Sequence, residues 1–229
     1  MAFILNVAAS LAASVLVITL AGVLSKTARS LLVALLGRLL DIDVEAVFRN
    51  PREAAPDVRR ELDRARHIDL LTGRGGELQR ETFAAVLGQA PAQKHRKFRI
   101  LLPQPTPSDG AVDWTADREA EVAVFDKAFG NGVLSEQIRM TARFLAPFVD
   151  AGSIELRFFN YPHIGRILIT DRATFFTPYR ADAHARVTRV IKYRCGGDMH
   201  DHLSRLFEKL WQTAIPASSE TQVRRVVER

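Results

Sequence analysis

Cysteine is almost missing from this chain of 229 residues, since Cys195 stands alone. One thiol excludes an intrachain disulfide and fits a reducing compartment. No Ser-His-Asp order, cysteine nucleophile or dinucleotide fingerprint stands out, and there is no internal repeat or low-complexity segment. The glycine-rich stretch "TGRGGE" (72–77) lacks the lysine and the following Ser or Thr of a P-loop, which excludes that phosphate cradle. Charge is absent from the first 25 residues, "MAFILNVAASLAASVLVITLAGVLS", which contain no Lys, Arg, Asp or Glu.

That uncharged segment is long enough to cross a bilayer core, which takes roughly 20 apolar residues in a helix. A cleaved signal peptide fits less well. No basic region leads it, and the apolar run exceeds the usual h-region of about 7 to 15 residues. Lys26, Arg29 and Arg38 follow at once. The positive-inside rule therefore predicts a single-pass anchor of the inner membrane, N-terminus outside and the remainder cytoplasmic. Ala8, Ala9, Ala12 and Ala13 provide small-residue spacing that permits close helix packing.

The rest is globular in composition, with 47% hydrophobic and 25% charged residues overall, which excludes dominant disorder. A net charge of +6 and a pI near 9.9 favour anionic neighbours. Nucleic acid is the less favoured of these, because no dedicated motif or aromatic stacking platform is visible.

Residues 27–48 carry leucines at helical spacing with arginines between them, which predicts a basic amphipathic helix, on the membrane surface or packed on the protein. "NPREAAPDVRRELDRAR" (50–66) reads as a connector with a charged helical tail. Beyond it the pattern alternates. "HIDLL" and "KFRILLPQP" (97–105) are strand-like, "ETFAAVLGQA" (81–90) is helical, and 117–152 is helical with a break at Gly130–Gly132. Three strand-like runs follow, "IELRFFNY", "GRILITDRATFF" and "TRVIKYRC". A last amphipathic helix covers 197–214, with Asp198 as its cap. This order predicts a mixed-sheet α/β domain with helices on both faces. The expected division is 1–25 anchor, 26–59 juxtamembrane helix and connector, 60–215 domain, and 216–229 flexible tail.

The segments "FRILLPQP", "IELRFFN" and "RILITDRATFFTPY", in that order, resemble the phospholipase D-like superfamily, in particular its divergent single-copy members in bacterial regulatory proteins. That family carries H-x-K-x-x-x-x-D followed by a small G-S pair. Its histidine attacks phosphorus and its lysine holds phosphate oxygens. Counting back from Asp171, the lysine position is Arg166 and the nucleophile position is Ile164. Arginine still clamps phosphate, whereas isoleucine attacks nothing. An alternative register makes His163 the nucleophile and requires a bulge at Gly165, because residues three apart on a regular strand point to opposite faces. Pro178–Tyr179 stands where the small pair belongs. The resemblance thus implies a degenerate motif, with Arg166, Thr177 and Asp171 holding phosphate and no catalytic residue unless His163 serves. Arg74 joins this set from the loop 72–77, which follows the first expected strand and reads either as a plain turn or as a cradle of backbone amides for phosphate.

Two other clusters remain. "DMHDH" (198–202) offers His200 and His202 beside two acids, but residues two apart do not share a helix face, so no metal is expected. "KHRK" (94–97) is a basic loop suited to anionic lipid. Without metal or cofactor, the expected function is a membrane-anchored, non-catalytic module that senses a phosphorylated or nucleotide-like ligand or partner. A homodimeric phosphodiesterase or nuclease using His163 is the alternative, and a membrane-surface interaction protein a further one.

Overall fold

Apolar runs of five to seven residues build the centre of the sheet. The computed structural model describes residues 10–11, 13–17, 35–37, 42–89, 96–107 and 110–217. Three parallel strands, β2 (His67–Leu71), β3 (Lys97–Pro103) and β4 (Glu155–Phe159), lie side by side. An antiparallel run, β5 (Gly165–Thr170), β6 (Ala173–Pro178) and β7 (Val190–Arg194), extends the sheet from β2. Short strands close both edges: β1 (Val44–Phe48) on β7, and β8 (Ile215–Pro216) on β4. The result is one mixed sheet of eight strands, ordered β1-β7-β6-β5-β2-β3-β4-β8.

Alternation along the strands sorts side chains onto two faces. Ile68, Leu70, Phe98, Ile100, Leu102, Phe158 and Phe175 meet helices α1 (Pro51–Arg64), α2 (Glu81–Gln89) and α4 (Val133–Asp150). Leu71, Leu101, Ile167 and Ile169 meet the apolar stripe Leu203, Phe207, Leu210 and Trp211 of α5 (Asp198–Thr213). Helix α3 (Trp114–Phe125) packs against α4. The expected mixed α/β sheet with helices on both faces is what forms.

Several boundaries differ from expectation. Val44–Phe48 is an edge strand rather than part of a helix, because its backbone finds a partner in β7. Residues 51–64, expected as a connector with a charged helical tail, are helical throughout and belong to the core, burying Ala54, Val58 and Leu62. Its start is well specified. Asn50 accepts from the Glu53 amide at 3.0 Å, Pro51 occupies the first turn, and Glu53 reaches back to the Arg49 amide at 2.6 Å. The sheet and its helices therefore take in residues 44–64, most of which lie before the expected boundary at 60. At the other end, Ile215 and Pro216 join the sheet and Ala217 is buried, so the domain extends past its expected end at 215.

The cap of α5 also comes from elsewhere. Its N-cap is Gly197, which has no side chain, and the carboxylate of Asp43 instead accepts from the Met199 amide at 2.7 Å. A side chain at residue 197 would collide with Asp43. Among the described residues no helix is long and apolar enough to cross a membrane. Most of the expected anchor at 1–25, most of 27–41 and all of 218–229 lie outside the described residues.

Candidate functional site

The parallel strands β2 to β4 end on one side of the sheet, where β5 begins and β6 finishes. Such strand ends commonly hold ligands in α/β sheets. Here three segments converge on a cavity of about 90 Å³: the glycine loop after β2, the turn before β5, and the residues just past β6.

The glycine loop is held from both sides. Gly73 has no room for a Cβ, which would lie 2.9 Å from the Tyr179 ring, and its amide donates to the Tyr179 hydroxyl at 2.8 Å. Gly75 adopts φ +70°, and Thr141 of α4 donates to the Arg74 carbonyl at 2.7 Å. The loop thus presents Arg74, whose Nη1 donates to Gln137 at 2.9 Å and whose guanidinium lies 5.8 Å from the Phe129 ring centre.

His163 reaches the cavity by a route the sequence does not announce. The Ile164 amide donates to the Pro162 carbonyl at 2.9 Å, closing a three-residue turn around His163. The strand register then runs unbroken from Gly165, so no bulge is needed. This turn parts the two neighbours at the cavity: His163 lines both it and an outer groove along α3, while Ile164, 39% exposed, lines the outer groove alone. The isoleucine at the position counted back from Asp171 does not occupy the cavity. Gly165 allows the tight approach, since a Cβ there would sit 2.6 Å from the Phe176 ring and 2.8 Å from the Thr177 carbonyl.

Of the expected phosphate-holding set, Arg74 and Arg166 line this one cavity. Thr177 is buried beside it and accepts from Arg166 Nη2 at 3.3 Å. Asp171 is not brought to the site. It sits in the β5–β6 turn at the opposite end of the sheet and accepts from the Arg66 and His67 amides at 3.0 and 3.4 Å.

Arg118, Glu77, Tyr179 and His184 also line it, and none of them is a site residue that the sequence points to. Arg118 projects from α3, stacks 5.4 Å from the centre of the Tyr179 ring and pairs with Glu121 at 2.6 Å. His184 Nε2 pairs with Asp126 at 2.8 Å between the rings of Phe125 and Phe129. Glu77 faces Arg166 at 3.9 Å, too far for a hydrogen bond, and its Oε1 is buried without one.

Three guanidinium groups therefore share the cavity with one lining carboxylate, Glu77. Burial, reinforced by the positive charge of Arg118 and opposed by Asp113, pushes the His163 pKa down to about 4. The imidazole is uncharged at neutral pH, and its Nε2 is buried without a hydrogen-bond partner. Burial and the nearby Glu77 charge raise the Tyr179 pKa against the opposing pull of Arg166, so its hydroxyl keeps its proton.

His200 Nδ1 bonds Thr174 at 2.9 Å inside the domain, and no cluster among the described residues could hold a metal ion. Of the "KHRK" loop, Arg96 is turned inward, donating to the Leu62, Asp63 and Ala65 carbonyls at the C-terminal end of α1. Lys94 and His95 lie outside the described residues.

No family model matches the chain, and no curated protein does. Among solved structures, TrmBL2, an archaeal chromatin protein with a novel mode of DNA binding, is 17% identical at a TM-score of 0.47. That match covers 83% of this chain and 61% of the other. Nuc from Salmonella typhimurium, a phospholipase D family member, is 14% identical at 0.44, covering 76% of this chain and 97% of Nuc. Phosphatidylserine synthase from Haemophilus influenzae Rd KW20 is 9% identical at 0.45, covering 77% and 41%. The chain thus spans only 61% of the chromatin protein and 41% of the synthase. Likenesses this distant name neither a family nor an activity for it.

Proposed function

We propose that the chain is a phospholipase D-like module that binds a phosphorylated ligand in this cavity without turning it over, tied to the inner membrane by residues 1–25. One observation carries the reading: Arg74, Arg118 and Arg166 line a space of about 90 Å³ in which Glu77 is the one lining carboxylate, with Arg118 also paired to Glu121 outside the lining. That volume corresponds to about three waters, enough for one phosphate group. Clustered guanidinium groups in a partly desolvated pocket select for phosphate geometry and charge. Two features favour holding over turnover. Arginine stands where the resembling family has lysine, and the Tyr179 ring fills the place of a small residue. The anchor is supported by the uncharged run 1–25, in which Leu11, Val15, Leu16 and Val17 are helical and exposed.

Titration of the full chain with inorganic phosphate, followed calorimetrically, tests the binding. Arg166→Ala is expected to weaken phosphate at least about tenfold, as loss of a charge-assisted bidentate contact does, with Arg166→Lys intermediate. Phosphate binding that ignores Arg166→Ala, or no binding at millimolar phosphate, would sink the proposal.

A second reading, phosphodiester cleavage by His163, draws on one specific observation. The imidazole lines the same cavity as Arg166, uncharged and with Nε2 unpartnered. Turnover of bis-p-nitrophenyl phosphate that disappears in His163→Ala would replace the binding role with a catalytic one.

A further inference from the structure

Beside the arginine cavity lies a second one, of about 360 Å³, between α1, α2 and the β5–β6 face of the sheet. Its size falls within the range of small-molecule pockets, roughly 300–1,000 Å³. The two spaces differ in character. The floor of the second is apolar, formed by the buried side chains of Val58, Phe83, Leu168 and Phe175. Its rim is basic, with the exposed Arg52 and Arg80.

Arg166 and Glu77 line both cavities, so the two spaces meet at that pair. A guanidinium has five N–H donors. On Arg166, Nη2 donates to Thr177, and Nη1 stands 3.9 Å from Glu77 without bonding it. Donors therefore remain for a phosphate seated at the junction. The inner cavity takes the phosphate group itself and little more. Whatever is esterified to it must occupy the second space, where an apolar floor removes hydrocarbon from water while a polyhydroxylated group would lose its own hydrogen bonds.

Building on the phosphate-binding reading above, we infer that the ligand is a phosphate ester of an apolar alcohol, its hydrocarbon part lodged between α1 and α2, rather than bare phosphate, a sugar phosphate or a polynucleotide strand. Arg52 and Arg80 at the rim add attraction for the anionic ester as it enters. The chemistry is shared by a soluble alkyl or aryl phosphate and by a membrane phospholipid.

The full chain in phosphatidylcholine nanodiscs would be titrated with inorganic phosphate, glycerol 3-phosphate and hexyl phosphate. Hexyl phosphate is expected to bind at least about tenfold tighter than the other two, because each buried methylene adds roughly fourfold when fully desolvated. Ala55→Phe, which projects a ring into the second cavity from α1, should abolish that advantage and leave inorganic phosphate unchanged. Thr82→Phe, from α2, gives the same test by an independent route. Equal affinity for all three probes, or an advantage of hexyl phosphate that survives both substitutions, overturns the inference while leaving phosphate binding intact. Loss of every probe, bare phosphate included, overturns the underlying reading as well. Phosphatidic acid added to the nanodiscs separates the sources: it lowers hexyl phosphate affinity if the membrane supplies the ester, and leaves it unchanged if the ligand is soluble.

Discussion

Arg99 forks onto Asp69 across two neighbouring parallel strands, Nε to one carboxylate oxygen and Nη2 to the other, both at 2.7 Å. Both residues are buried, and the guanidinium also lies 5.1 Å from the ring centres of Phe207 and Trp211 on α5. His67 and Glu208 extend the network at 2.7 and 2.8 Å. Burial works to raise the Asp69 pKa, and the bonds from His67 and Arg99 outweigh it, so the carboxyl stays below its usual range.

Removing one partner strands the other charge inside the domain. Arg99→Met is expected to cost about 3–5 kcal/mol, and the pair Arg99→Met with Asp69→Leu far less. Urea denaturation of the single and double variants measures the difference. A double variant as unstable as the single one would contradict the account.

The acid side of the stability curve should belong to His163. Unfolded, its imidazole takes up a proton near pH 6.5; folded, only near 4. Between those values the unfolded chain binds more protons, so stability is complete above about 6.5 and falls as the pH drops toward 4, by at most about 3 kcal/mol. Asp69 and Asp171, both lowered, lose their contributions only at more acid pH. Urea midpoints at pH 7 and 4.5 should differ markedly less in His163→Gln than in the parent.

Gly165 admits no side chain without moving Phe176 or the backbone of Thr177. Gly165→Ala is expected to destabilise by about 1–3 kcal/mol, as overpacking does. It should also weaken phosphate binding, because Arg166 and the His163 turn flank the displaced residue. Gly76, where a Cβ meets nothing within 4 Å, serves as the tolerant control.

Asp43 caps a helix that begins more than a hundred residues later in the chain. Asp43→Ala should cost about 1 kcal/mol, with Asp43→Asn retaining most of the cap. Hydrogen exchange at the Met199 amide reads the effect locally. Unchanged protection there in Asp43→Ala would show that another group satisfies that amide.

How much of this was legible beforehand follows from the range of the interactions. The runs at 67–71, 97–103 and 155–159 read as strands because apolar and β-branched residues fill them and turn residues bound them, whereas 165–176 reads as one run and the turn at Asp171–Arg172 divides it into β5 and β6. β1 did not, since five residues of an edge strand match a helical spacing equally well and only β7 decides between them. Arg74 and Arg166 were found from a glycine loop and a motif register. Arg118, Glu77 and His184 carried no local signal at all, being a helix residue, a loop end and a turn residue like many others.

The misjudged neighbour was Ile164. Counting along a strand assumes a constant period of two, and a three-residue turn at Pro162–Ile164 resets that count one residue before the strand begins. The amino-acid order alone determined the alternating elements, the basic balance and the uncharged leading segment, because each depends on composition or on a period within a few residues. Which side chains meet in the cavity was decided by the tertiary structure, because strand ends, a helix from elsewhere and a tight turn must close on one point, and no local pattern encodes where that point lies.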